Sequence, residues 1–312
     1  MANQFYHLNI KIERFNLKCL LLVLNNPIFG LLNLITMFFG LSPHDLLVKF
    51  SHNYETLTIR YLLFAGPLFL VFYVWKKQNF LKYKIQQKFP ENKHIFREVV
   101  YSLLSLSIFS IVAMTMFILR KHGYTKMYTN FSDHSVGYFI FSVVAFILVH
   151  DTYFYWTHRF MHWKKIYRYV HKVHHMSTDP TPWAAFAFHP LEAFVEVGIL
   201  PLMLFLIPVH PLTILVWVLY QSGMNVMGHL GFEMFPEGFA SGKISKWHNT
   251  STHHNMHHKH VNCNYGLYYN FWDRILGTNH VRYEAEFDKI KARVKEAKQT
   301  EETPELSESL AN

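Results

Sequence analysis

The sequence predicts an all-α integral membrane protein: about four transmembrane helices, a Pro-broken re-entrant helical hairpin, and a cytoplasmic helical cap holding clustered histidines. Three observations predict it. The 312-residue chain is 51% hydrophobic and 17% aromatic but only 16% charged, against about 25% charged in an ordinary soluble domain. Its apolar residues gather in runs near membrane-spanning length. Of its 22 histidines, 15 fall between residues 150 and 260, in boxes with helical spacing.

Four runs have the character of spans. CLLLVLNNPIFGLLNLITMFFGL, 19 to 41, is long enough, though Asn25, Asn26 and Pro27 weaken it. YLLFAGPLFLVFYVW, 61 to 75, needs its flanks to reach the roughly 20 residues of a bilayer core. VVYSLLSLSIFSIVAMTMFIL, 99 to 119, is the clearest, and VGYFIFSVVAFILV, 136 to 149, runs on into a polar aromatic stretch. The next apolar region, 191 to 228, is interrupted by Pro201, Pro208 and Pro211. Proline cannot continue a helix, so this region is expected to dip into the bilayer as a hairpin and return.

Charge sets orientation. Residues 76 to 98 carry Lys76, Lys77, Lys82, Lys84, Lys88, Lys93 and Arg97, whereas 120 to 135 carry Arg120, Lys121 and Lys126. By the positive-inside rule the first segment is cytoplasmic, and so is everything from His158 onward. The net charge of +9 flanks apolar runs rather than forming one basic face, so no nucleic acid partner is expected. Cys19 and Cys263 stand far apart, which excludes a disulfide framework. The first apolar run starts late and lacks a small-residue cleavage site, so no cleavable leader is expected. Three regions follow: a transmembrane region, 1 to 134; a catalytic domain, 135 to 283; and a charged helix with a polar tail, 284 to 312.

The chemistry lies in three boxes. HRFMH sets His158 and His162 at i, i+4; HKVHH gives His171, His174 and His175; HNMHH repeats that spacing as His254, His257 and His258. On a helix such positions share a face, so each box can aim two or three imidazoles at one point. Eight imidazoles are too many for one ion and suit two. A single histidine is more often a core or surface residue, and His7, His44, His52, His94, His122, His134 and His280 are read so. His150, His248, His253 and His260 are placed outside the ligand set. His229, where the hairpin ends, and His189, where it begins, are further ligand candidates, each with a capping or supporting role as the alternative. Asn225 is a candidate weak ligand. Asp151, Glu192, Glu233 and Asp273 are candidates for accepting the second ring N–H of a ligating histidine, or else are caps and ion pairs.

DTYFYWTHRFMH, HKVHH, FHPLE and HHNMHHKHVNCNYGLYYNFWDRILGT resemble the fatty acid hydroxylase superfamily, in particular its sterol desaturase branch, over about 135 to 280. The resemblance implies an integral membrane non-haem di-iron enzyme with cytoplasmic histidine boxes. Such enzymes use O2 and two external electrons to hydroxylate or desaturate a sterol-like or long-chain membrane lipid. Carried over position by position, the family's ligands fall on His158, His162, His171, His174, His175, His254, His257 and His258, and its additional histidine falls on His229. Zinc can substitute for iron in an imidazole site. Breaking an unactivated C–H bond is beyond any side chain, which fits a redox metal. Tyr155, Trp156, Trp183 and Phe186 could line the substrate's route from the bilayer, or simply pack in the core.

The alternatives are a fatty acyl, sphingoid or alkylglycerol hydroxylase, a zinc-dependent membrane hydrolase and a metal transporter. No histidine is followed by Glu, so HExxH is absent, and a transporter would hold its ligands at mid-membrane. The chain has no GxGxxG, P-loop or iron–sulfur cysteine set. Electrons must therefore come from a partner, a b-type cytochrome or ferredoxin with its reductase. Arg159, Lys164, Lys165, Arg168 and Lys172 could dock it, or hold anionic headgroups.

Overall fold

The computed structural model describes residues 40–302. The first expected span, 19 to 41, lies outside them except for its last two positions, as does the polar tail beyond 302. The chain divides at Asn53–Tyr54 into two compact units, and the first contributes the opening turns of helix α1 (Pro43–Phe69). Ser42 caps that helix, its Oγ accepting the Asp45 amide at 3.1 Å. Near its other end Pro67 supplies no N–H, and the helix widens into a π-turn over Leu70–Trp75. Helix α2 (Asn92–Lys121) follows an irregular loop, and α3 (Val136–Met161) starts where Ser135 Oγ accepts the Tyr138 amide.

Among the described residues these three helices, Pro43–Trp75, Asn92–Lys121 and Val136–Met161, are long and apolar enough to cross a membrane. Leu62, Leu63 and Val74 on the first and Ile140, Phe141 and Val144 on the third are exposed. Left in water such faces would cost about 25 cal/mol per Å²; facing lipid they cost nothing. Among the described residues no strand is formed, only isolated bridges.

Two short helices, α4 (Tyr167–Val170) and α5 (Lys172–His175), precede the Pro-broken region. That region folds as α6 (Pro190–Val197), α7 (Ile199–Leu206) and the returning α8 (Pro211–Gly228). Both arms open with the same three residues, HPL. Pro stands at the first helical position, where its missing N–H costs nothing, and the preceding histidine accepts the following Leu amide. The distances are 3.3 Å from Leu191 to His189 Nδ1 and 3.1 Å from Leu212 to His210 Nδ1. The tip reaches the loop between α2 and α3: Lys126 N–H donates to Leu204 O at 2.9 Å and Tyr128 N–H to Val209 O at 3.1 Å. The hairpin thus runs the whole way from the histidine end of the bundle to the opposite end. One core joins Tyr61, Leu106, Phe186, Ala193 and Val226, and another joins Phe146, Met203, Val209 and Trp217.

The cap continues through α9 (Ser251–His260), α10 (Phe271–Ile275) and α11 (Tyr283–Glu302). One expected surface charge is not on the surface. Lys84, counted above toward the positive-inside bias, is 0% exposed, its Nζ 2.9 and 3.0 Å from the two Asp179 oxygens. Burial pushes the Asp179 carboxyl up and the Lys84 amine down, and each partner's charge opposes the shift of the other. This pair ties the segment after Pro43–Trp75 to the turn after the second box. Replacing Asp179 by Asn should cost about 3–5 kcal/mol by stranding a buried ammonium. The double replacement Lys84→Met/Asp179→Leu should recover most of that. Thermal melts of the detergent-solubilised protein decide it, and equal melting for Asp179→Asn and wild type would refute it.

Candidate metal centre

The nine histidines of the three boxes and His229 meet in two groups. His158, His162, His171, His175 and His257 form one, and His174, His229, His254 and His258 the other, with the donor atoms of each group within 4.8 Å of one another. None of the nine is more than 8% exposed. The boxes do not each serve one point, as their spacing suggested. Each i, i+4 pair stays together: His158 with His162, His171 with His175, and His254 with His258. The odd histidine of each later box crosses over, His257 joining the first two pairs and His174 joining the third pair and His229. The groups adjoin, with the His175 and His258 rings 5.0 Å apart.

The helices explain this division. On α9, positions 254 and 258 share a face while 257 is rotated off it by about 60° (three residues at about 100° each). His158 lies at the end of α3, and His162 follows as its C-cap. His171 is the break between α4 and α5. His229 caps α8, where Asn225 O accepts its Nδ1–H at 2.7 Å.

Backbone carbonyls fix the ring tautomers. A carbonyl only accepts, so each ring nitrogen facing one must carry the proton. His158 Nδ1 donates to Tyr265 O at 2.8 Å, His257 Nδ1 to Cys263 O at 2.6 Å and His174 Nδ1 to Ala187 O at 3.4 Å. His171 Nδ1 lies 2.6 Å from Glu192 Oε1, which accepts the ring proton when the carboxyl is ionised. The corresponding Nε2 atoms are bare lone pairs turned inward. In the four-histidine group Nε2 of His174 lies 3.3 Å from Nε2 of His229, with both protons committed elsewhere. In the other group Nε2 of His158 lies 3.0 Å from Nε2 of His171. Two lone pairs at that range repel unless a cation stands between them. A metal about 2.1 Å from each nitrogen would separate neighbouring donors by roughly 3.0–3.4 Å, and the Nε2 separations of 3.0–3.3 Å in both groups fall in that range. The residues therefore fit two metal ions.

Burial keeps the rings neutral. It pushes His171, His174, His175, His254, His257 and His258 well below the ordinary imidazole value, with neighbouring histidines adding to the shift. His229 is pushed down to about 4, again by burial. Neutral imidazole is the form that ligates.

The other candidates lie around these groups. His189 is in neither; it caps α6, so its lone pair is already used. Asn225 donates its side-chain amide to Ala185 O and serves His229 through its backbone carbonyl. Glu192, 0% exposed, touches His171 directly. Asp151 and Asp273 touch none of the nine. Asp151 accepts the amides of Tyr268 and Tyr269, and Asp273 those of Tyr265 and Gly266. Both clamp the loop whose Tyr265 carbonyl holds His158. A Cβ at Gly266 would strike the Tyr269 carbonyl, so this loop requires glycine there. Glu233 receives the amide and hydroxyl of Thr252 at the start of α9. Phe186 and Trp183 pack in the core beside Tyr61, Tyr155 stacks near Trp272, and Trp156 is exposed. The carbonyl partners Cys263, Tyr265 and Ala187 could not be read from side-chain identity, because their contribution is backbone. The HPL repeat, in contrast, stood in the sequence as a sign that His189 is a cap.

Two outcomes follow from this geometry. Glu192→Leu removes the acceptor of His171 and should weaken metal binding about 10–100-fold, measured by competition with a chelator; unchanged affinity would exclude the role. In the metal-free protein the buried histidines have folded pKa values below their unfolded 6.5, so the unfolded chain takes up more protons as pH falls. The contribution of these histidines should be constant above pH 7 and decline below about 6.5, by up to about 1.4 kcal/mol per pH unit for each. It acts against the opposite slope of the buried carboxyls Glu192 and Glu233. Replacing His254 and His258 by Gln should flatten the melting-temperature decline from pH 7 to 5 relative to wild type, and an unchanged slope would contradict it.

Residues 143–278 match the sequence profile of the fatty acid hydroxylase family. Lathosterol oxidase of Rattus norvegicus is 31% identical over 220 residues, covering 70% of this chain and 71% of that one. A Delta(7)-sterol 5(6)-desaturase of Schizosaccharomyces pombe is 32% identical over 202 residues, 65% of this chain and 64% of its own. Human lathosterol oxidase is 30% identical over 184 residues, covering 58% and 60%. No solved structure matches.

Proposed function

Because the chain is an oxidoreductase belonging to the fatty acid hydroxylase family, in its sterol desaturase branch, we propose that it is a membrane di-iron enzyme that uses O2 to form the 5(6) double bond of a Delta(7)-sterol. The observation that carries the metal half of this reading is the pair of buried imidazole groups, five and four, each with its possible donor atoms within 4.8 Å of one another. The substrate half rests on the relative named Delta(7)-sterol 5(6)-desaturase, alongside relatives named for oxidation of a sterol, lathosterol. Bound iron would supply the reduction of O2 and the oxidising power to remove hydrogen from an unactivated carbon. The balance is one CH–CH unit, one O2, two electrons and two protons in, and one C=C and two waters out. The two electrons come from outside the chain.

The protein's own residues do the positioning. Backbone carbonyls of Ala187, Asn225, Cys263 and Tyr265 and the Glu192 carboxylate hold five rings by Nδ1, leaving Nε2 free to ligate. The burial of all nine rings excludes bulk water, which protects an oxidising centre from side reactions. His158, His162, His171, His175 and His257 would hold one ion, and His174, His229, His254 and His258 the other. The lysine-rich 76 to 98 segment supports a cytoplasmic position for this site. The largely apolar stretch Ile199–Leu206 and the arm Pro211–Gly228 support immersion of the hairpin in the bilayer.

Protein purified without oxygen should bind about two irons per chain. His257→Ala should abolish sterol desaturation while the chain still inserts, and His229→Ala should lower iron as strongly, whereas His189→Ala should retain both ions. Feeding a Delta(7)-sterol to a host with and without the chain, and reading sterols by mass spectrometry, tests the substrate. Full activity of a zinc-loaded, iron-free enzyme would sink the di-iron reading, and no change in sterol profile would sink the substrate.

A further inference from the structure

A groove of about 790 Å³ lies outside the histidine groups, between the loop after Pro43–Trp75, α9 and the start of α11. Its lining is strongly one-signed. Lys88, Lys259, Arg282, Lys289 and Arg293 face Glu286 as the single carboxylate among the lining residues. Arg293 spends its N–H groups on the carbonyls of Lys82 and Lys84, so its charge is not neutralised. His260 and His280 stack at 4.6 Å on the same wall. Ile85, Met256 and Ile290 give the floor an apolar centre, and Val281 stands 95% exposed at the lip. Apolar centre within a charged rim is the anatomy of a protein-docking surface.

What lies behind the floor decides the partner. Thr252, Asn255, Met256 and Lys259 line the groove from α9, at spacings i, i+3, i+4 and i+7 that define one face. His254, His257 and His258 lie on the other face of the same helix and belong to both histidine groups. A helix is about 10–12 Å across with its side chains, so a partner seated here is one helix width from both groups.

We propose that this groove docks an acidic one-electron carrier protein, which passes electrons singly through α9 to the metal centre; the proposal rests on the redox reading above. Two carrier molecules are oxidised per double bond formed, supplying the two electrons of that balance. The other basic stretch is a poorer fit. There Lys165 lies 5.3 Å over the Trp163 ring and Arg168 4.5 Å over Tyr169, and Trp163 and Tyr169 are themselves exposed. Aromatic and basic residues so interleaved have the composition of a membrane–water interface.

The test uses the full chain in nanodiscs of neutral phosphatidylcholine, with the soluble haem domain of an acidic b-type cytochrome as probe. Arg282→Glu/Lys289→Glu should weaken probe binding about tenfold or more and flatten its salt dependence. Lys164→Glu/Lys165→Glu should change it less than threefold. Iron content and single-turnover product with dithionite as reductant should match wild type in both variants. Unchanged binding in the groove variant, or loss confined to the Lys164/Lys165 variant, overturns the proposal. So does an effect that appears only when anionic lipid is added, which would make the groove a headgroup site. Wild type that binds the probe through the groove but yields no product even with dithionite would instead overturn the redox reading and leave the docking surface standing.

Discussion

Nine buried imidazoles pressed into two adjoining groups are the constraint on which the surrounding structure depends. Each ring loses water on burial, and neighbouring donor nitrogens repel at 3.0–3.3 Å. A cation at the centre of such a group relieves that repulsion, and partners for the outward ring nitrogens orient the rings. Five of the nine rings have such a partner at Nδ1, while His162, His175 and His258 have none among the described residues. Much of the surrounding structure supplies these partners. The turn after α5 offers Ala187 O, the end of α8 offers Asn225 O, and the loop after α9 offers Cys263 and Tyr265. That loop is itself gripped by Asp151 and Asp273. The carboxylates thus act one step further out than a direct His–Asp contact, and Glu192 is the exception that touches a ring.

The sequence made the three boxes legible because helical spacing converts directly into direction. It made the division between two groups illegible, because i, i+3 and i+4 all lie within one broad stripe and only the packed partner decides which point each ring reaches. His171, His174 and His175 show this: three neighbours on paper, they divide between the two groups once α5 is set between α3 and α9. His229 was legible as the histidine where the hairpin ends. His189, its apparent counterpart, is spent on a cap. The recurrence of HPL at 189 and 210 is the local signal that separates the two, because a histidine before an N1 proline has an unpaired helix amide within reach. Three of the four apolar runs fall in helices able to span a membrane, while the first lies outside the described residues. The buried Lys84 was invisible as such, since a lysine in a basic stretch gives no sign that an aspartate 95 residues later will meet it.

The resemblance to the sterol desaturase branch agrees with the comparisons, and its limits follow from the same physics. Ligand positions are shared wherever the metal chemistry is shared, so they report the class of reaction. Substrate choice depends on apolar surfaces such as those around Phe186, Phe188 and Trp183, where one side chain of similar volume can replace another at small cost.

Helix α9 connects the fold to the proposed reaction. One face must be all donor nitrogen, because the helix supplies one ring to one group and two to the other. The opposite face lines the groove through Thr252, Asn255, Met256 and Lys259, with Lys259 exposed at its edge. A metal centre buried against a membrane can receive lipid from one side only if electrons arrive from another. A ten-residue helix with imidazole on one face and a basic groove on the other satisfies both demands with a wall one helix thick.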